Sequence, residues 1–196
     1  MPDMLLRMPL FLGAVVALTP AAVAWELQPY AGIGMGVFDL NMKHANPAYA
    51  HHHRTGGGYV RVGVDIGPYF GGEARIGTTV RGSATAANTA YIPLSSRQFY
   101  ALLGKGQFEF KPGLRAYALL GVTTAKIQTS VPGAIALPAV INSTRTGATM
   151  GAGAEYILDG HSSASFEWVQ YLTNVPAGNG FKASMWGAAL TFTVMF

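Results

Sequence analysis

The chain ends in WGAALTFTVMF, residues 186–196, and this stretch decides the fold. Counted back from the end, every second residue from Phe196 to Trp186 is apolar. The residues between them are small or mildly polar, and neither set contains a charge. Alternation with a period of two predicts a β-strand. Aromatic residues at both ends of a strand are typical of the two interfacial girdles of a transmembrane β-barrel. A strand of a soluble protein is the alternative, so the rest of the chain decides between them.

Composition excludes several classes of protein. The 196 residues contain no Cys, which excludes disulfides, thiolate metal sites and cysteine nucleophiles. Half of the residues are hydrophobic and only 11% are charged. After residue 24, however, no apolar run reaches the roughly 18 residues of a membrane helix. The net charge of +4 is too small and too scattered to predict nucleic-acid binding.

The N-terminus has the pattern of a secretory signal peptide. Arg7 precedes an apolar segment over residues 10–18, and Ala22-Val23-Ala24 forms a small-x-small cleavage site. The apolar segment is too short to cross a bilayer. We therefore predict that residues 1–24 are a cleaved signal peptide and that residues 25–196 form the mature barrel. An uncleaved anchor is the alternative.

The mature chain predicts an all-β fold, an eight-stranded antiparallel up-and-down transmembrane β-barrel. Alternating segments lie near residues 27–40, 59–67, 70–80, 97–108, 114–122, 147–156, 163–168 and 186–196. Short turns near residues 67, 111 and 160 alternate with long predicted loops at 41–57, 82–95, 125–144 and 173–183. Short periplasmic turns and long outer loops are the pattern of outer-membrane barrels, and an even strand number places both termini in the periplasm.

Charge placement assigns the two faces of the predicted strands. The outward set carries no charge within the strand cores, because Asp39 lies at the predicted loop end of the first strand. The inward set holds four basic and four acidic residues: Arg61, Arg75, Lys105, Arg115, Asp65, Glu73, Glu155 and Glu167. A Lys or Arg facing lipid at mid-membrane costs about 2–4 kcal/mol, whereas a soluble barrel carries its charges outside. We predict that these residues pair and plug a narrow lumen.

Inward glycines complement large inward side chains in this prediction. Glycines at 32, 34, 36, 151 and 153 fall on the inward set of their strands. The same set of other strands contains Tyr59, Phe99 and Tyr117. Small barrels fill their interior by alternating small and large residues, so we predict that these glycines make room for the aromatic rings.

Several segments carry a family resemblance. YVRVG at 59–63 with PYFGGEARIG at 68–77, YALLG at 117–121 and GAGAEY at 151–156 are similar to strands of the small outer-membrane β-barrel superfamily, the outer membrane protein A-like and opacity-type barrels. The final residue resembles the signal read by the barrel-assembly machinery, formed here by Trp186, Leu190, Phe192, Val194 and Phe196. The resemblance implies a Gram-negative outer-membrane location, surrounded by outer-membrane lipid and lipopolysaccharide. It does not fix a function, because members act as adhesins, wall links or transporters.

The first predicted loop contains a group of histidines, His44, His51, His52 and His53. Imidazoles suit Zn, Cu and Ni, so the group is a candidate metal site. A flexible loop holds its side chains in no fixed geometry, however, and a solvated loop is the first interpretation.

The third predicted loop is almost wholly apolar over residues 131–141, which is unusual for a segment in water. Its candidate interaction residues are Ala134, Ile135, Leu137, Val140 and Ile141. We predict that the segment packs over the barrel mouth; a protein partner or a hydrophobic ligand is the alternative.

A hydrolase site is the enzymatic alternative. His161, Ser163 and Glu167 are the residue types of a Ser/His/Glu hydrolase, and lipid A deacylase is an eight-stranded barrel of this kind. His161 is predicted in a periplasmic turn, at the barrel end opposite to lipid A of the outer leaflet. The sequence therefore favours a non-enzymatic protein without a cofactor over a lipid A-modifying hydrolase.

The functional prediction is an outer-membrane barrel with a plugged polar lumen and a structural or surface-interaction role through its extracellular loops. A narrow channel, or a lateral-diffusion transporter of small hydrophobic molecules from a mouth near residues 131–141, is the alternative.

Overall fold

The computed structural model describes residues 26–45, 51–80, 82–85, 91–131, 139–178 and 180–196. Their elements are β1 (Leu27–Lys43), β2 (His51–Ile66), β3 (Phe70–Thr79), β4 (Gly82–Thr85), β5 (Tyr91–Lys111), β6 (Leu114–Val131), β7 (Ala139–Ile157), β8 (Ser162–Gly178) and β9 (Phe181–Met195). Across these ranges no helix is long and apolar enough to cross a membrane. The predicted signal peptide, residues 1–24, lies outside the described residues and stays a prediction.

The strands form a closed antiparallel barrel. Pairing runs around the ring from β1 to β9, β9 pairs with β1, and β3 pairs with β5. Strand β4 adds no ninth position to this ring. Gly77 of β3 pairs with Phe99, and Gly82 of β4 pairs with Leu94, so β3 and β4 meet β5 in the same register. They form one barrel strand that is interrupted after Thr79, and the predicted eight-stranded up-and-down barrel is confirmed.

The strands are longer than the sequence predicted. β1 continues to Lys43 and β2 begins at His51; β6 continues to Val131 and β9 begins at Phe181. The predicted loops at 41–57, 82–95, 125–144 and 173–183 are therefore largely strand, and those boundaries were wrong. The error arose because these segments are rich in polar and small residues, which are typical of loops. A barrel wall that continues past the membrane can carry polar side chains on its outer face.

The two ends of the barrel differ in their connections. One end has the tight turns at residues 67–69, 112–113 and 158–161 together with both ends of the described chain, and we call it the turn end. The other end has the remaining connections, and we call it the loop end. Outward side chains between the two ends are apolar and exposed, as in Met35, Val62, Leu102, Leu120 and Leu190.

The barrel wall is fully paired only in its turn-end half. β7 pairs with β8 from Met150 to Ile157, and the described residues 139–149 of β7 form no ladder with β8. The β2–β3 ladder stops at the pair Gly57–Thr79, and residues 51–56 form no described ladder with β4. Toward the loop end the described wall thus continues as two four-stranded sheets, β2-β1-β9-β8 and β4-β5-β6-β7.

Irregular pairing in β8 accompanies this division. Its register against β9 shifts at three places between Gln170 and Gly178, and Asn174 has a φ of 49°. Pro176 in the same stretch has no N–H to donate. Bulges of this kind bend a strand and increase its twist, which carries β8 away from β7. Where the β7–β8 ladder ends, the Thr149 hydroxyl donates to the backbone oxygen of Tyr171 at 3.0 Å.

An apolar core lies between the two sheets. The ring of Phe99 packs 5.7 Å from Phe38 and 4.8 Å from Tyr171, measured between ring centroids. Further buried members of this core are Leu40, Met42, Ala125, Ile127, Leu172, Val175, Ala183 and Met185. Burying one large apolar side chain contributes about 1.5–3 kcal/mol, so this core stabilises the loop-end half of the barrel.

Inward glycines face aromatic rings on the neighbouring strand. Four cross-strand pairs show this arrangement: Gly34 with Tyr59, Gly63 with Tyr30, Gly77 with Phe99 and Gly153 with Tyr117. A Cβ on each of these glycines would lie 2.3–2.4 Å from a ring atom of its partner. The prediction that inward glycines make room for large residues is confirmed for Tyr59 and Tyr117.

Amide hydrogen exchange can locate the division of the wall. From Met150 to Tyr156, β7 has a strand partner on both sides, so we expect all of its amides to exchange slowly. Over residues 144–149 only the amides that point to β6 have a partner, and we expect every second amide to exchange fast. NMR-detected exchange in lipid nanodiscs measures both patterns. Uniform slow exchange over residues 144–149 would contradict the two-sheet description.

Candidate functional site

The lumen of the turn-end half contains all eight charged residues that the sequence placed there. Seven of them are at most 6% exposed, and the side chain of Arg115 is 20% exposed. They form two clusters. The central cluster contains Arg61, Glu73, Arg75 and Glu167, and the lower cluster contains Asp65, Lys105, Arg115 and Glu155. Each cluster has two positive and two negative groups and is formally neutral.

Glu167 is the main acceptor of the central cluster. Arg75 donates from both terminal nitrogens to its two carboxylate oxygens, with Nη2 at 2.8 Å from Oε2. The Tyr117 hydroxyl donates to Oε2 at 3.0 Å, and the Tyr59 hydroxyl donates to Oε1. A bidentate arginine–carboxylate pair combines strong hydrogen bonds with fixed geometry. The carboxylate is therefore held from three sides inside the lumen.

Glu73 joins the two arginines of the central cluster. It accepts hydrogen bonds from Arg75 Nε and from the Tyr30 hydroxyl, the latter at 2.9 Å. Arg61 Nη1 lies 3.6 Å from Glu73 Oε2, and its other terminal nitrogen donates to the Thr193 hydroxyl. A buried ion pair is tolerated when further hydrogen bonds satisfy its remaining polar atoms. Tyrosine and threonine hydroxyls perform that role here, while Arg61 Nε is buried without a described hydrogen-bond partner.

The lower cluster lies nearer the turn end. Lys105 Nζ donates to both oxygens of Asp65 at 2.9 and 3.2 Å, and Arg115 Nη1 lies 3.8 Å from the same carboxylate. Glu155 is 4.0 Å from Lys105 and accepts a 2.6 Å hydrogen bond from the Ser163 hydroxyl. Arg115 lies directly opposite Glu155 in the β6–β7 ladder, and its side chain is the most exposed of the lower cluster. The lower cluster thus closes the lumen toward the turn-end opening.

The pairing within the lumen depends on the stagger of the strands. Arg61 and Arg75 are direct cross-strand neighbours on β2 and β3, an arrangement of like charges that is destabilising on its own. Glu73 and Glu167 neutralise this pair, the first from β3 and the second from the far side of the ring. No sequence pattern reports that register, so the specific pairs could not be predicted.

The hydrolase candidates do not come together. The Ser163 hydroxyl is fully buried and bonded to Glu155, while Glu167 binds Arg75. His161 lies in the exposed turn between β7 and β8, where Asp159 Oδ1 accepts hydrogen bonds from the Ser162 hydroxyl and from two backbone N–H groups. The Ser162 side chain and these N–H groups lower the pKa of Asp159. This geometry is that of a structural turn.

The histidines also separate. Their segment was predicted as a loop, but residues 51–53 begin β2, so alternation sends His52 outward and His53 inward. His44 follows β1 and packs 4.7 Å from the ring of Phe181. Within the described ranges, no group of three or more His, Cys, Asp or Glu side chains could hold a metal ion. The His51 side chain lies outside the described part of the structure.

The apolar loop candidates fall largely outside the described residues. Ala134, Ile135 and Leu137 lie in the segment 132–138, which the structure does not describe. Val140 and Ile141 lie on β7 and pair in its ladder with β6, so their prediction as loop residues was wrong. The polar strand residues around them had been mistaken for a longer connection.

The predicted assembly signal lies on the outer face of β9. Its five residues, Trp186, Leu190, Phe192, Val194 and Phe196, share one parity and point away from the lumen. The Phe196 N–H donates to the Pro29 oxygen at 2.9 Å, which joins the chain end to β1. Its recognition by the assembly machinery stays a prediction.

A basic patch that sequence reasoning missed lies on the outer face at the loop end. Asp39 was assigned to the end of its strand, but β1 continues past it and the side chain is 2% exposed. Its Oδ2 lies 2.5 Å from His52 Nε2 and 3.5 Å from Arg54 Nε. Beyond it, Lys43 and Lys182 are cross-strand partners and both are exposed. We define the basic patch as His52, Arg54, Lys43 and Lys182, with Asp39 as their acidic neighbour.

A sequence signal for this patch did exist. The described side chains of the loop-end half include five basic residues, Lys43, Arg54, Lys126, Arg145 and Lys182, against the single acid Asp39. The other acids of the described chain lie in the lumen or near the turn end. This asymmetry follows from the sequence once the strand order is known.

Comparisons with known proteins agree on the fold. Residues 9–193 match the family model described as outer membrane protein beta-barrel domain. Neisserial surface protein A (NspA) has a TM-score of 0.58 and 10% identity, covering 86% of this chain and 97% of NspA. OprG from Pseudomonas aeruginosa has a TM-score of 0.53 and 11% identity, covering 85% of this chain and 95% of OprG.

A third structure has a TM-score of 0.51 and 14% identity, and the match covers 84% of this chain and 98% of the chain in that structure. It is Ail, the attachment invasion locus protein of Yersinia pestis, in complex with the heparin analogue sucrose octasulfate. No curated protein matches the chain. Similarity at these identities shows the fold alone.

Removal of Glu167 tests the central cluster. In Glu167→Ala the buried guanidinium of Arg75 loses its bidentate acceptor, and we expect the free energy of unfolding to fall by about 3–5 kcal/mol. Urea unfolding from phospholipid vesicles measures the change. The control is Glu109→Ala, since Glu109 is an exposed carboxylate that also pairs with an arginine. Equal effects of the two substitutions would contradict a stabilising role for the cluster.

Proposed function

Because the chain belongs to the outer membrane protein β-barrel family, we propose that it is a non-conducting barrel that acts through the surface it presents outside the cell. Family membership agrees with the resemblance inferred from the sequence. The protein is located in the Gram-negative outer membrane. In such barrels the short turns are periplasmic, so the turn end faces the periplasm and the loop end faces outward.

The observation that carries the proposal is the continuous filling of the barrel interior. The two charge clusters occupy the turn-end half, and the apolar core occupies the loop-end half. Arg75 in the central cluster, Phe99 and Tyr171 in the adjoining aromatic layer, and Met185 in the apolar core are each at most 1% exposed. An aqueous path would have to separate charge pairs and then wet an apolar core, and both steps are costly.

A surface role at the loop end is supported by its charge. The basic patch and Lys126 place positive groups on the outer wall, with Asp39 as their single described acidic neighbour. Ail has the same fold and was solved with a sulfated sugar, a polyanion. These observations support an anionic partner at the loop end of this chain.

Lateral passage of small hydrophobic molecules is a second candidate. The observation that favours it is the unpaired wall between β7 and β8, beside the apolar core. Side chains close this seam, because a Cβ on Gly147 would lie 2.7 Å from Val175 Cγ1 and 3.1 Å from Leu172 Cδ2. Passage would therefore require these side chains to move.

The proposal includes no catalytic role, since Ser163 and Glu167 are engaged in the lumen clusters. It does include the barrel-assembly machinery as a partner of the C-terminal strand. The outward apolar residues of β9 and the terminal Phe196, which is 74% exposed, support this part of the proposal.

Planar-bilayer recording tests the proposal. We expect the purified protein to give no steady openings, because both halves of the interior are filled. A large porin under the same conditions serves as the control for insertion and membrane quality. Steady openings whose conductance changes in Arg75→Gln or Glu73→Gln would support a conducting lumen and overturn the proposal.

A further inference from the structure

The basic patch lies at the level where lipid headgroups meet the barrel. Trp186 on β9 and Trp168 on β8 both have outward parity, and the side chains below them toward the turn end are apolar, as in Leu190 and Phe166. Tryptophans of outer-membrane barrels mark the interface between hydrocarbon and headgroups. Lys43 and Lys182 lie above Trp186 on adjacent strands, so their ammonium groups are at headgroup height.

The two lysines form a like-charge pair without a counterion in the described chain. Lys43 and Lys182 stand directly opposite each other in the β1–β9 ladder, and neither forms an ion pair with any described residue. Like charges directly opposite in a sheet are destabilising. Asp39, the nearest acid in the strand order, is already held by His52 and Arg54. The pair is therefore suited to an external anion.

A groove beside the lysines adds uncharged polar groups. It has a volume of about 400 Å³ and runs between Trp168 and Trp186. Its polar lining comes from Asn41, Lys43, Gln170, Thr173, Asn174 and Ser184. The bulge in β8 creates this shape, and the Asn174 N–H donates to the Ser184 hydroxyl at 3.0 Å, which fixes the two sides relative to each other.

We propose that this groove binds the phosphorylated sugar headgroup of a glycolipid in the outer leaflet. A phosphate between Lys43 and Lys182 would neutralise both ammonium groups by charge-assisted hydrogen bonds. Amide and hydroxyl groups of the groove match sugar hydroxyls, and Trp168 and Trp186 lie where the first carbons of the acyl chains begin. The proposal rests on the location in the outer membrane and not on whether the lumen conducts.

The choice of a lipid over a soluble anion follows from position. The groove lies on the outer wall of the barrel rather than at its loop-end tip, and its apolar lining comes from Met150 and the two tryptophans. A ligand seated there would have its phosphate beside the lysines and its apolar part against the membrane-facing wall. A soluble polyanion would lack the apolar part.

Lipid retention tests the proposal. The full protein is reconstituted in phosphatidylcholine vesicles that contain a minor fraction of either a bis-phosphorylated glycolipid or its dephosphorylated form. It is then extracted into a mild detergent. Native mass spectrometry measures how much of the glycolipid stays bound to the protein. We expect retention of the phosphorylated form and a loss of about tenfold in Lys43→Gln/Lys182→Gln. The control Lys111→Gln removes an exposed positive charge at the turn end, on the other side of the membrane from the groove, and should retain the lipid.

Three outcomes would overturn the proposal: equal retention in the patch variant and the control, equal retention of the dephosphorylated lipid, or full displacement by the deacylated sugar phosphate. Folding is checked independently by thermal unfolding in lipid-free detergent. There we expect the patch variant to be at least as stable as the parent, because it removes the repulsion between two lysines. Added phosphorylated glycolipid should raise the unfolding temperature of the parent and of the control, but not of the patch variant. Lipid retention does not depend on whether the lumen conducts ions. Failure of this proposal and failure of the proposed closed lumen can therefore be told apart.

Discussion

The ion pair between Arg75 and Glu167 is the interaction on which the interior depends. In the ring of eight strands β3 and β8 lie on opposite sides, so this pair crosses the whole lumen. Both other members of the central cluster contact it, since Glu73 pairs with Arg75 and Arg61 Nη1 lies 3.8 Å from Glu167 Oε2. Glu73 neutralises the remaining charge of two neighbouring arginines, and three tyrosine hydroxyls saturate the carboxylates. A single absent partner would leave a charge buried against aromatic rings, which is far costlier than the net gain from the complete set.

The interior of the barrel is polar in one half and apolar in the other. In the turn-end half a closed wall surrounds ion pairs, and in the loop-end half two sheets enclose an apolar core. The junction is the layer of Phe38, Phe99 and Tyr171, where the Tyr171 hydroxyl still accepts a hydrogen bond from Arg75 at 3.2 Å. Outside the wall the polarity also reverses, from apolar residues such as Leu190 to charged ones such as Lys182. The loop-end half thus resembles a soluble sandwich joined to a membrane barrel.

Much of this architecture could be predicted from the sequence because membrane barrels have a strict period of two. Alternation revealed the outward apolar set, the number of strands and the inward position of residues such as Arg61 and Glu155. It could not reveal strand stagger, and hence which charges meet. It failed at the strand extensions because a polar outer face in water is locally indistinguishable from a loop. Asp39 and the residues 51–53 were misassigned for that reason, and the two-sheet division depends on bulges in β8 that no periodicity encodes.

The sequence separation of the ion pair across the lumen has a consequence for the order in which the barrel is made. Arg75 and Glu167 are 92 residues apart, and β8 is the seventh of the eight barrel strands. If hairpins entered the bilayer one after another, Arg75 would reach hydrocarbon without its bidentate acceptor Glu167. We therefore expect concerted insertion, in which the hairpin that carries Glu167 enters the bilayer together with the one that carries Arg75. The ion pair that closes the finished lumen thereby disfavours a half-inserted intermediate.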